Sequence, residues 1–255
     1  WSGGNSSTRL TGQIDELRIS NIARYTSNFS PPFYEFSSDV NTSALYHFND
    51  NFNDASSNSN NGTAVNGAGY VSSNAPIGNL NSSYKTSTRG IWKASGTSES
   101  DASNGLTMTV GSALSTGNFA VFGNNNTSGE TSSDLGSVAS TNRTARIWQV
   151  DESGTVAATI KIDISDATGL ANGTGTASNF RLLYRSGTSG AFSSAATGSS
   201  ISGDVVTFNS VSLQDGYYAM GTEGDASLPV ELTSFELLET RNDGITLQWV
   251  TESEI

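Results

Sequence analysis

Apolar and polar residues alternate with a period of two along most of this chain, and no stretch of useful length carries an apolar stripe at helical spacing. The clearest case is residues 156–164, where Val156, Ala158, Ile160, Ile162 and Ile164 face one way and Thr159, Lys161 and Asp163 the other. Successive side chains of a strand point to opposite faces, so this segment predicts one face in a core and one in water. The same alternation sets Phe180, Leu182 and Tyr184 against Arg181, Leu183 and Arg185, and Ile245, Leu247 and Trp249 against Thr246 and Gln248. Further strands are expected at residues 13–20, 44–49, 106–110, 119–123, 145–151, 205–209 and 217–221. Turns rich in Gly, Asn and Ser separate them. Short strands at recurrent spacing predict an all-β protein of antiparallel β-sandwich modules, jelly-roll or Ig-like, with almost no helix.

Two breaks interrupt the pattern. Residues 72–81 contain Asn74-Ala75-Pro76, and residues 222–229 form a polar connector between Gly224 and Pro229. They set residues 1–81, 82–223 and 224–255 apart, and the first of these is read as two pieces, 1–37 and 38–81.

Composition narrows the class. Of the 255 residues, 35% are hydrophobic and 14% charged, and aromatics are spread along the length, which suits a folded chain of polar turns better than a disordered acidic one. The net charge of −12 would repel a phosphate backbone, so nucleic acid is not an expected partner. With no cysteine there are no disulfides, thiolate metal sites or Cys nucleophiles. No run of about 18 apolar residues exists to span a membrane, and the N-terminus lacks the features of a signal peptide. Few lysines and many small polar residues fit an extracellular protein at a cell surface. Trp1 and a strand pattern that stops at Ile255 read as ends cut from something longer.

Several segments resemble modules of secreted surface proteins. Residues 10–24 (LTGQIDELRISNIAR) resemble the closing strand of laminin-G-like, concanavalin-type jelly rolls. Residues 44–49 (ALYHFN) and 54–63 (DASSNSNNGT) resemble the opening strand and first loop of the same fold. An end followed by a beginning fits either two truncated tandem copies or one permuted sandwich. Residues 105–221, with FAVFG at 119–123, RTARIWQVDE at 143–152, FRLLY at 180–184 and LQDGYY at 213–218, are similar to a β-rich repeat of unassigned function in large secreted proteins of Bacteroidota. Residues 228–235 (LPVELTSF) and 244–255 (GITLQWVTESEI) resemble the first strands of a fibronectin-type-III-like module, which implies export by type IX secretion.

Catalytic chemistry finds little support, and no catalytic residue is assigned. The single imidazole, His47, lies between Tyr46 and Phe48, and no Gly-x-Ser-x-Gly elbow presents a nucleophile to it. It reads as a packed or edge histidine. One His and no Cys supply too few donors for the usual zinc sites. Glycosidases need two carboxylates about 5 to 9 Å apart. Asp15 and Glu16 are neighbours, as are Asp151 and Glu152, so each pair points to opposite faces, while Asp163 and Asp166 flank a strand end.

The best candidate site is residues 50–62, where Asp50, Asp54, Ser56, Asn58 and Asn60 could offer hard oxygens to calcium and Gly62 permits a tight turn. Laminin-G-like domains often hold calcium near such a loop. Trp92, Tyr217 and Tyr218 could stack on sugar rings, although core packing is the commoner use. The expected function is that of a non-enzymatic structural or adhesive surface protein, self-associating or meeting other surface proteins, and assembled into a filament by exchange of terminal strands. The alternative is a calcium-dependent carbohydrate-binding region of a larger secreted enzyme, with glycans as partners.

Overall fold

A computed structural model of the chain describes residues 12–29, 31–71, 73, 75–169, 175–223, 232–241 and 244–251, the last two chiefly as backbone. The protein is nearly all β and its sheets are antiparallel. No helix among the described residues is long and apolar enough to cross a membrane. Two compact units divide at Ala75 and Pro76, within the connector that the sequence marks.

In the first unit, β1 (Leu17–Ser20) pairs with β2 (Thr42–Tyr46) in a two-stranded sheet, Leu17 opposite Tyr46 and Ile19 opposite Ala44. The segment resembling a closing strand and the one resembling an opening strand are thus hydrogen-bonded neighbours. The second predicted strand stops early, because Phe48 and Asp50 adopt left-handed backbone (φ 59° and 53°) that no strand accommodates.

The second unit is a sandwich. Its strands are β3 (Thr86–Trp92), β4 (Ser98–Asp101), β5 (Leu106–Val110), β6 (Phe119–Asn124), β7 (Glu130–Thr131), β8 (Asn142–Thr144), β9 (Trp148–Ser153), β10 (Ala157–Asp163), β11 (Phe180–Arg185), β12 (Ser193–Thr197), β13 (Ser200–Ser202), β14 (Val205–Ser212) and β15 (Gly216–Thr222). One sheet runs β13-β14-β10-β5-β4 and the other β12-β11-β15-β9-β6-β3, with β8 beside β15 and β7 beside β8. A separate hairpin joins β16 (Leu232–Arg241) to β17 (Gly244–Thr251).

Alternation builds the core between the sheets. Met108, Ile160, Ile162 and Phe208 from the five-stranded sheet meet Phe122, Trp148, Phe180 and Met220 from the other, all fully buried or nearly so. Each such side chain contributes about 1.5–3 kcal/mol through burial. The eight-stranded sheet also buries its second face. Leu183, Tyr217 and Ala219 pack there against Leu135, Ile147 and Phe192, and Arg185 is buried on the same side. Residues 180–185 therefore lack the wet face that simple alternation predicts, because residues 132–141 and 186–192 close over it.

The strand expected over 156–164 ends at Asp163. The Asp163 carboxylate accepts a hydrogen bond from the Asp166 N–H and caps the short helix α1 (Ile164–Thr168), which Gly169 closes in left-handed backbone (φ 73°). A buried polar cluster pins the two sheets together. Asn124 of β6 and Asn104 both donate to the Asp101 carboxylate of β4, each at 2.9 Å. Arg146 in turn donates to Asn124, Asn104 and the Ala167 carbonyl.

Candidate functional site

The chemistry-bearing side chains of the first unit gather around β2. The loop after β2 folds about Asp54, whose carboxylate accepts four hydrogen bonds: Leu45 N–H (2.9 Å) and Ser56 N–H (2.8 Å) to Oδ1, Ser56 Oγ–H (2.8 Å) and Asn60 N–H (2.9 Å) to Oδ2. Desolvation pushes the Asp54 carboxyl up, but these bonds outweigh it and bring it down to about 2. Asn58 and Asn60 point their amides at β2, donating to the Ser43 carbonyl, and Asn58 also to that of Thr42. The structure brings Asp54, Ser56, Asn58 and Asn60 into one hydrogen-bonded cluster, and Asp50 takes no part in it among the described contacts. The loop is shaped by its own donors, with both Asp54 oxygens already engaged.

Beside this loop lies a three-residue constellation that sequence reading missed. Glu16 Oε1 is 2.7 Å from His47 Nδ1, and donor atoms of Glu16, Glu35 and His47 lie within 4.8 Å of one another. The Glu16 side chain is only 6% exposed, and its Oε2 accepts the Phe36 N–H at 2.9 Å. Glu35 Oε1 accepts from Asn49 Nδ2 at 2.8 Å. Asp15 turns away to meet Ser73, as expected of adjacent residues. Three residues from separate segments leave no spacing signature, so nothing in the sequence joined them.

The same unit carries an open cavity of about 310 Å³ whose lining includes Tyr25, Tyr34, Phe36, Arg18 and Asp39. The Arg18 guanidinium sits 4.5 Å over the Phe36 ring, and Tyr25 stacks on Phe29. Arg24 grips Asp39 with two bonds, at 2.6 and 2.7 Å, and holds that carboxyl well below the usual range. An aromatic wall beside fixed polar groups is what a sugar-sized ligand requires.

Across the sheet formed by β1 and β2, an apolar face stays open among the described residues. Leu17 (38% exposed) and Ile19 (49%) alternate on it, flanked by Ile14 (55%) and Ile22 (51%). Opposite Leu17, Tyr46 begins a row of rings that continues through Phe48 and Phe52 to Tyr70. Among the described residues β1 pairs with β2 alone.

The ends of the two sandwich sheets in the second unit are guarded. Register shifts interrupt β3 and β12, β13 is three residues long, and β4 carries Glu99 and an inward Asp101. These are the devices that keep sheet edges from recruiting strands. Three of its carboxylates serve local structure: Asp151 accepts the Asn79 N–H, Asp163 caps α1 and Asp215 accepts the Glu152 N–H. Burial raises Asp151 and Glu152, with Asp215 adding to both. Tyr217 and Tyr218 are buried, so they pack rather than offer platforms, while Trp92 is half-buried. The Trp249 side chain lies outside the described residues.

Residues 81–217 match a family described as a domain of unknown function, DUF8202. No curated protein and no solved structure matches the chain.

Proposed function

Since the chain belongs to the DUF8202 family, whose function is unknown, we propose on its own physical features that it is a non-enzymatic, extracellular structural or adhesive protein that associates through its first unit. The observation that carries this reading is the contrast between the sandwich and the two-stranded sheet of the first unit. The outer strands of both sandwich sheets carry such guards, whereas among the described residues β1 leaves a ladder edge and an apolar face open at Leu17 and Ile19. A two-stranded sheet is marginal alone and gains stability from further strands. An extended segment from a neighbouring copy, added beside β1, would pair the open edge and cover Leu17, Ile19 and the Tyr46 row, giving a chain of subunits held by strand exchange. Sedimentation and electron microscopy test it. The protein should form oligomers or filaments at micromolar concentration, and the double variant Leu17→Lys, Ile19→Lys should return it to monomers while the sandwich stays folded. Monomers for the unaltered chain would overturn the reading.

A second reading, a glycan-binding region with calcium in the loop at residues 50–62, draws support from the aromatic cavity at Tyr25, Tyr34 and Phe36. Binding to immobilised glycans that Tyr25→Ala abolishes would favour it over self-association.

A further inference from the structure

We propose that Glu16, Glu35 and His47 bind a divalent transition-metal cation of the zinc class. The first argument is the donor set. One imidazole nitrogen and two carboxylate oxygens lie within 4.8 Å of one another, a spacing that closes onto bonds of about 2.0–2.2 Å with small side-chain movements. A nitrogen donor favours zinc, cobalt or nickel over calcium, which takes six to eight oxygens. Three protein ligands leave a position for water.

The second argument is charge. Two carboxylates face one imidazole, so the group stays negative even with the imidazole protonated. Glu16 is nearly buried, and among the described residues its ion-pair partner is His47 alone, while Glu35 has none. Buried charge is stable only when paired, and a divalent cation supplies the balance that the chain does not.

The third argument is orientation. The Phe36 N–H fixes one oxygen of Glu16 and the Asn49 amide one oxygen of Glu35, leaving the second oxygen of each available. Such outer contacts hold metal ligands in place. The cation would sit between His47 Nδ1 and Glu16 Oε1, replacing the hydrogen bond that now joins them at 2.7 Å. Once bound, it would tie the turn before β1, the connector at Glu35 and the end of β2 into one rigid piece.

Cobalt(II) added to the whole chain gives the test through its visible absorption. The expected result is one cobalt per chain with a d–d band, undisturbed by a hundredfold excess of calcium and displaced by zinc. Glu35→Gln and His47→Gln should each weaken binding at least about tenfold. Should His47→Gln disturb the fold by circular dichroism, Glu35→Gln carries the test, because the described side-chain contact of Glu35 is a single hydrogen bond from the Asn49 amide. No band, several equivalent cobalt ions per chain, displacement by calcium, or unchanged affinity in Glu35→Gln would overturn the assignment.

Discussion

The Asn124 amide donates to the Asp101 carboxylate across 2.9 Å, and both side chains are buried, at 0% and 2% exposure. The pair joins β4 of one sheet to β6 of the other, so it fixes how the sandwich closes. Asn124→Ala removes a donor from a buried carboxylate, and the expected loss is about 3 kcal/mol. Urea unfolding should show a lower midpoint with an unchanged slope.

Gly123 makes a sharper steric prediction. A Cβ there would lie 2.2 Å from the Tyr84 carbonyl oxygen, a backbone atom that cannot step aside cheaply. Gly123→Ala should destabilise the sandwich by about 3 kcal/mol, at the upper end of overpacking costs. Gly111 has nothing within 4 Å of its Cβ position, and Gly111→Ala should leave the melting temperature almost unchanged.

Alkaline stability should depend on Tyr218. Burial pushes its hydroxyl up to about 12, against the lesser downward pull of its hydrogen bond from the Gln214 N–H. The folded state holds this proton more tightly than the unfolded chain, whose tyrosine titrates near 10. Stability from this group is therefore present below pH 10 and lost as pH rises from 10 toward 12, on the order of 2–3 kcal/mol. Tyr218→Phe should flatten that alkaline limb in unfolding followed by far-ultraviolet dichroism.

Asp54 sets the opposite limb. Its carboxyl titrates at about 2 in the folded unit against 3.8 for an unperturbed group, so its contribution is present above pH 4 and lost as pH falls toward 2. Amide hydrogen exchange at Leu45 and Asn60 should accelerate over that interval. Asp54→Asn should accelerate it at neutral pH already.

The sequence made the sandwich legible where strands have one buried face. β5 falls at the expected residues, and β10 and β15 differ only at their ends, because apolar alternation reflects burial directly. Strands built of Ser, Ala and acidic residues were unreadable. β4 (SESD) and β12 (SSAAT) have turn-like compositions, and hydrogen bonding to β5 and β11 holds them extended. The loop around Asp54 stands out in the sequence as a candidate calcium loop, but its carboxylate's engagement with Leu45 and Asn60 depends on backbone donors that composition does not display. Glu16, Glu35 and His47 meet only because β1 and β2 pair, a contact that follows from tertiary structure.

The chain has 12 basic residues, and three of its arginines are spent inside. Arg143 and Arg185 lie against the Phe192 ring and both reach Asp134, and Arg146 is bound within the polar cluster between the sheets. Trypsin-like proteases cut at exposed, extended basic residues. Tucking these three guanidinium groups inside denies such enzymes three of their cutting points for as long as the sandwich stays closed.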